Sequence, residues 1–170
     1  IAGTGPYEEE IRSKISELGI EQNVIMAGFV KNVTGIKNIL DIELNASFGT
    51  EATSLSLLEG MSLGKPAVVS NFGGNPGVII DEVNGYLTPT HDVDALVVSL
   101  KRLFTNEEQY KIMSENCKKV YETKPLRHTR YRDSHHRQLC SYPSQKVWLV
   151  RTYRHTDRHC GGGDIVLLSP

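Results

Sequence analysis

Two glutamates eight positions apart, Glu51 and Glu59, are the residues of this sequence best placed to do chemistry. Between them Ala52, Thr53, Ser54 and Leu55 form the entry to a helix expected over 53–63, and a helix entry offers backbone N–H groups that have no intrahelical acceptor. The positive end of the helix macrodipole lies there as well. A diphosphate suits those N–H groups, and a carboxylate on each side of it suits the hydroxyls of a sugar and a ribose. Spacing alone favours plainer roles, Glu51 as a helix cap and Glu59 as a solvated helix residue.

Other candidate motifs carry less. Gly3-x-Gly5 follows a short apolar start, but the third glycine of a dinucleotide-binding fingerprint would fall at position 8, which is Glu8. The acidic turn Glu8-Glu9-Glu10 would repel a pyrophosphate, so an NAD site is excluded. Cys117, Cys140 and Cys160 are odd in number and lack CxxC spacing, which argues against a disulfide framework or a zinc ribbon. Five of the six histidines fall after residue 124, in a stretch with nothing to hold ligands in tetrahedral geometry. No metal and no cofactor is expected.

The elements that must position Glu51 and Glu59 follow from periodicity. A helix over 7–18 places Ile11, Ile15 and Leu18 on one face and stops at Gly19. Strands are expected over 23–30, 42–47, 66–70 and 86–88, with short helices over 33–40 and around Val78-Ile79-Ile80. Asn84-Gly85 marks a turn. Asp92 or Thr90 caps a helix that turns Leu96, Leu100 and Leu103 inward, and a last helix over 107–121 buries Tyr110, Met113, Cys117 and Val120 or Tyr121. Repeated strand–helix units predict an α/β, Rossmann-like parallel sheet with helices on both faces. Ligands of such sheets sit beyond the carboxyl ends of the strands, which singles out the loops 3–6, 28–31, 47–54 and 73–74.

Composition changes at one point. Residues 1–124 hold 11 Lys and Arg against 17 Asp and Glu, whereas residues 125–170 hold 8 against 3, with seven Arg, no Glu and the single Trp. The reading is a partial domain over 1–124 followed by an atypical Arg/His-rich tail over 125–170, irregular or non-native, as a frameshifted read-through would be. The opening Ile1-Ala2-Gly3-Thr4-Gly5-Pro6 reads as the end of a buried strand, so the chain is expected to begin inside a larger protein. No run of 18 apolar residues is present.

The residues around the glutamates sharpen the reading. Glu51-x7-Glu59, the run Glu59-Gly60-Met61-Ser62-Leu63-Gly64-Lys65-Pro66-Ala67-Val68-Val69-Ser70, and Gly73-Gly74-Asn75-Pro76 closely resemble the C-terminal domain of GT-B glycosyltransferases of family 4 (group 1). Gly3-Thr4-Gly5-Pro6, Asn23-Val24 with Gly28-Phe29, and Asn84-Gly85-Tyr86-Leu87 follow in the family's order, and the resemblance spans about residues 1–123. It implies retaining transfer of a sugar from a nucleotide-diphosphate-sugar donor to a glycan or lipid-linked acceptor, without a metal. By that analogy Glu51 contacts the donor sugar and supports charge at the reacting centre. Thr53, Ser54 and Leu55 offer N–H groups to the sugar or diphosphate, Glu59 holds the ribose diol, and Gly28, Phe29 and Val30 lie beside the base. Dipoles aimed in advance at a departing diphosphate are worth roughly 2.7–4 kcal/mol per donor.

The departures from the family pattern are specific. Ala52-Thr53-Ser54 replaces Gly-Phe-Gly, Ala46 replaces a Pro, Gly77 stands where a Glu usually follows Pro76, and Gly60 replaces an Ala. The N-terminal acceptor domain of a GT-B enzyme is missing, so the expectation is a donor-binding half, inactive alone and cytoplasmic, with any attachment to the inner membrane face supplied by the absent domain. Three other readings are a starch- or glycogen-synthase relative, a nucleotide-sugar-binding or interaction module without turnover, and a nucleic-acid binder using the tail's arginines. The acidic body and the lack of any nucleic-acid motif oppose the last.

Overall fold

The computed structural model describes residues 1–46 and 55–123 and the backbone of 148–150. Its elements are helix α1 (Glu8–Glu17), a 3-10 turn (Glu21–Asn23), α2 (Val33–Asn38), strand β1 (Ile42–Asn45), α3 (Leu55–Ser62), β2 (Ala67–Ser70), α4 (Asn75–Val78), β3 (Gly85–Thr88), α5 (Val93–Thr105), α6 (Glu107–Thr123) and β4 (Trp148–Val150). The sheet order is β3-β2-β1-β4. β1, β2 and β3 run parallel, with Asn45 opposite Val69 and Val68 opposite Tyr86. This is the expected α/β arrangement. β4 is added antiparallel to β1, so the tail, expected to be irregular, contributes an edge strand; its other residues lie outside the described chain.

Alternation along the strands sends side chains to both faces. Ile42, Leu44, Val68 and Tyr86 pack with Leu100, Leu103 and Met113 from α5 and α6. On the opposite face Ala67 and Val69 pack with Leu57, Leu58 and Met61 of α3, with Val78 and Ile79, and with Cys117 of α6. Asp92 caps α5 by accepting from the Ala95 N–H at 2.9 Å, the first of the two expected caps. Gly85 is set by close approach: a Cβ there would strike the Ala67 carbonyl on β2.

Three local expectations differ. Leu18 is exposed, because α1 ends at Glu17 and Gly19, at φ 65°, turns the chain away from the Ile11/Ile15 stripe. Residues 23–30 form no strand. They make a single parallel bridge, Ala2 to Gly28, through Ala27 N–H to the Ile1 carbonyl (2.8 Å) and Gly3 N–H to the Gly28 carbonyl (2.7 Å). Gly28 itself, at φ 60°, has left the extended region that a ladder needs. The short helix near Val78 begins earlier, at Asn75, because Pro76 fits a first turn; Ile79 is already extended (φ −92°, ψ 129°).

Candidate functional site

The parallel register brings the chain out of β1 and β2 at the same end of the sheet. The segment after β1 leads to α3, and the segment after β2 leads through Gly73-Gly74 to α4. Asn75, 1% exposed, ties that second loop down by donating from Nδ2 to the Ser70 carbonyl at 2.9 Å. Its Oδ1 is buried without a hydrogen-bond partner.

Of the residues singled out from sequence, Glu51, Thr53 and Ser54 lie outside the described residues. Leu55 is the first residue of α3 and Glu59 stands one turn further along it. The Glu59 side chain is 15% exposed, so it is not the solvated surface residue of the plainer reading. Gly28, Phe29 and Val30 form the loop that the Ala2–Gly28 bridge anchors ahead of α2. Phe29 is 70% exposed there, a bare aromatic face at the edge of the domain.

A buried polar cluster joins α2, β1 and α3. Lys37 and Glu43 have side chains only 2% and 1% exposed. The Lys37 ammonium donates to both carboxylate oxygens of Glu43 (3.0 and 2.9 Å), to the Ser56 carbonyl (2.6 Å) and to Ser56 Oγ (2.7 Å). Ser56 Oγ in turn donates to Glu43 Oε1. Every ammonium proton therefore has an acceptor, which a buried charge requires. Lys37 Nζ also lies 3.9 Å from Glu59 Oε2, a Coulombic contact rather than a hydrogen bond.

Local sequence explains the assembly. Asn32 caps α2 by accepting from the Gly35 N–H at 2.9 Å, which fixes the helix carrying Lys37. In β1, Ile42 and Leu44 face α5 and α6, so alternation sends Glu43 beneath α3. Gly60 makes the room: a Cβ there would collide with Glu43 Oε2. Burial pushes the Glu43 carboxyl above the usual carboxylate range, while the Lys37 charge and the bonds from Ser56 and Lys37 oppose that rise. Burial, with a smaller contribution from the Glu43 charge, pushes the Cys117 thiol up to about 12, so it is no nucleophile. Among the described residues no group of three or more His, Cys, Asp or Glu could hold a metal.

Sequence reasoning passed over Lys37, Glu43 and Ser56. A usable signal was present in Ile42-Glu43-Leu44-Asn45, because a strand covered by helices on both faces is ordinarily apolar throughout. A carboxylate at such a position calls for a buried cation nearby.

A sequence model of the family described as "Glycosyl transferases group 1" matches residues 1–120. Among curated proteins, the chain is 27% identical over 119 residues to the Escherichia coli UDP-Gal:alpha-D-GlcNAc-diphosphoundecaprenol alpha-1,3-galactosyltransferase, covering 69% of this chain and 30% of that enzyme. It is 30% identical over 128 residues to the Escherichia coli O-antigen chain mannosyltransferase C, covering 72% of this chain and 34% of that protein. The N-acetyl-alpha-D-glucosaminyl L-malate synthase of Bacillus anthracis is 32% identical over 123 residues, with 72% and 32% covered. The chain thus spans about a third of the length of these relatives. In structure it resembles Anabaena HepE solved with UDP (TM-score 0.67, 21% identity, 71% of this chain and 35% of that one). It also resembles the C-terminal domain of the group 1 protein LpcC from Francisella tularensis (TM-score 0.63, 22% identity, 69% and 62% covered). The family match ends within α6, before the composition changes.

Proposed function

Because the chain belongs to the group 1 glycosyl transferases, with the α/β fold of their GT-B members, we propose that it is the donor-binding half of a retaining enzyme. The donor is a nucleotide-diphosphate-sugar and the acceptor a glycan or lipid-linked sugar. Acceptor binding belongs to a separate N-terminal domain, so the chain alone is inactive. The reaction takes place at the cytoplasmic side, with any membrane association residing in that other domain, and uses no metal or cofactor. Among the described residues no helix is long and apolar enough to cross a membrane.

The observation that carries this reading is Glu59, a largely buried carboxylate on α3 one turn after the helix entry, beside a buried ammonium. A carboxylate so held is a ready acceptor for the two hydroxyls of a ribose. The N–H groups of Thr53, Ser54 and Leu55 receive the diphosphate or the sugar, where the helix dipole favours the charge that develops as the sugar–phosphate bond breaks. Glu51 meets the sugar hydroxyls and supports positive character at the anomeric carbon. The acceptor oxygen bonds to that carbon, and its proton leaves with the departing diphosphate. The base lies by Gly28, Phe29 and Val30, where the exposed Phe29 ring offers a stacking face. Anabaena HepE has been solved with UDP and with UDP-glucose, which supports a uridine nucleotide as the first ligand to try.

Calorimetric titration of the 170-residue chain with UDP, GDP and ADP, repeated on Glu59→Ala, tests the reading. Binding of one nucleotide that the variant loses is expected. Equal binding by the variant would remove Glu59 from the site.

A further inference from the structure

We propose that Lys37 and Glu43 are positioning residues for the donor site: they lock the first turn of α3, and with it the Glu59 carboxylate, into the orientation that receives the nucleotide. The inference rests on Glu59 being the ribose contact, and it adds two residues that never touch the donor.

Lys37 comes from α2 and Glu43 from β1, and besides pairing with each other both bond to Ser56 of α3. The ammonium holds the carbonyl and the hydroxyl of Ser56, at 2.6 and 2.7 Å, and Glu43 accepts from the same hydroxyl. Ser56 is the second residue of α3, so the clamp grips the helix's first turn. Glu59 follows three residues later, on the neighbouring helical position, and the same ammonium lies 3.9 Å from its Oε2. One buried cation thus bonds the helix entry and lies within Coulombic reach of the carboxylate. A tether of this kind costs little when the ligand arrives, because the arrangement is already made.

A purely packing role predicts something different. Buried ion pairs are commonly replaceable by apolar side chains of similar volume without loss of stability. If Lys37 and Glu43 only fill space, Lys37→Met/Glu43→Leu leaves the site intact. If they position Glu59, the double variant folds but has lost the charge that holds the carboxylate.

The test compares the wild-type chain, Glu59→Ala and Lys37→Met/Glu43→Leu by three measurements: thermal unfolding, UDP titration, and the crystal structure of the double variant. The expected result is a double variant that unfolds cooperatively, with UDP affinity weakened about tenfold or more and the Glu59 carboxylate displaced. A Glu59 side chain unmoved in the double variant overturns the inference, whatever the nucleotide does. So does UDP affinity within about twofold of wild type while Glu59→Ala loses binding, an outcome that leaves the donor-site reading standing. If Glu59→Ala binds as wild type does, the donor-site reading fails instead, and the displacement of Glu59 decides the positioning alone. If the double variant does not fold, Lys37→Met/Glu43→Gln, which removes both charges but keeps a hydrogen-bonding side chain at position 43, takes its place under the same criteria.

Discussion

The two faces of β1 do different work. On one face Ile42 and Leu44 meet Leu100, Leu103 and Met113, a contact made only of apolar side chains. On the other, Glu43 lies under α3 with Lys37 and Ser56, charged and hydrogen-bonded, in a layer where Leu57, Leu58 and Met61 are the neighbouring helix residues. Apolar burial is non-directional, so the first face fixes α5 and α6 against the sheet without demanding one exact pose. The ammonium–carboxylate–hydroxyl cluster has few satisfactory geometries, so the second face fixes the rotation of α3. On the proposed donor-site reading, the face that needs an accurate helix entry is the one that uses polar bonds.

Breaking the polar face should cost most. Lys37→Met alone leaves Glu43 buried beside no ammonium, and a loss of about 3–5 kcal/mol is expected in urea unfolding. Adding Glu43→Leu should restore most of it. On the apolar face, Leu100→Ala should cost about 3 kcal/mol through the cavity left behind, with no second-site restoration and no change in nucleotide affinity.

Gly60 sharpens the contrast. The family pattern has Ala here, and a Cβ would collide with Glu43 Oε2. Gly60→Ala should therefore destabilise by about 1–3 kcal/mol. In a Glu43→Val background the same change should be neutral or favourable, since the clash is gone and Ala is the better helix former. A double-mutant cycle by chemical denaturation reads the coupling. The glycine in α3 thus accommodates the buried carboxylate of β1.

The smallest effect concerns pH. Burial holds the Glu43 carboxyl above the usual carboxylate range, so the folded chain binds this proton more tightly than the unfolded chain does. Stability associated with the group is then greatest below the usual range and declines as pH rises through the raised folded value. Unfolding measured from about pH 4 to about pH 8 should show that decline in the wild type and a shallower one in Glu43→Gln.

Much of the scaffold was legible because its signals are local. Asp92 before Leu96, Leu100 and Leu103, the apolar run ending at Ser70, and Met113 with Cys117 on one helix each follow a single period, and the structure buries Leu100, Leu103, Met113 and Cys117 as expected. Residues 23–30 misled because the same apolar pattern serves a bridge as well as a strand, and Gly28 decides between them by its backbone conformation. The Lys37–Glu43–Ser56 cluster is non-local. Its members sit on three elements up to 19 residues apart, and no periodicity links a lysine on one helix to a carboxylate on the next strand. Helix position and the family likeness marked Glu59, and neither carried information on what surrounds it in the fold.

The central claim is that the polar face orients the nucleotide contact and the apolar face does not. Paired measurement of UDP affinity and unfolding free energy in Glu59→Ala and Leu100→Ala tests it most directly. A crossed result is expected: Glu59→Ala loses UDP at a smaller cost in stability than Leu100→Ala, and Leu100→Ala loses stability while its UDP affinity holds. Glu59→Ala binding UDP as tightly as wild type would contradict it.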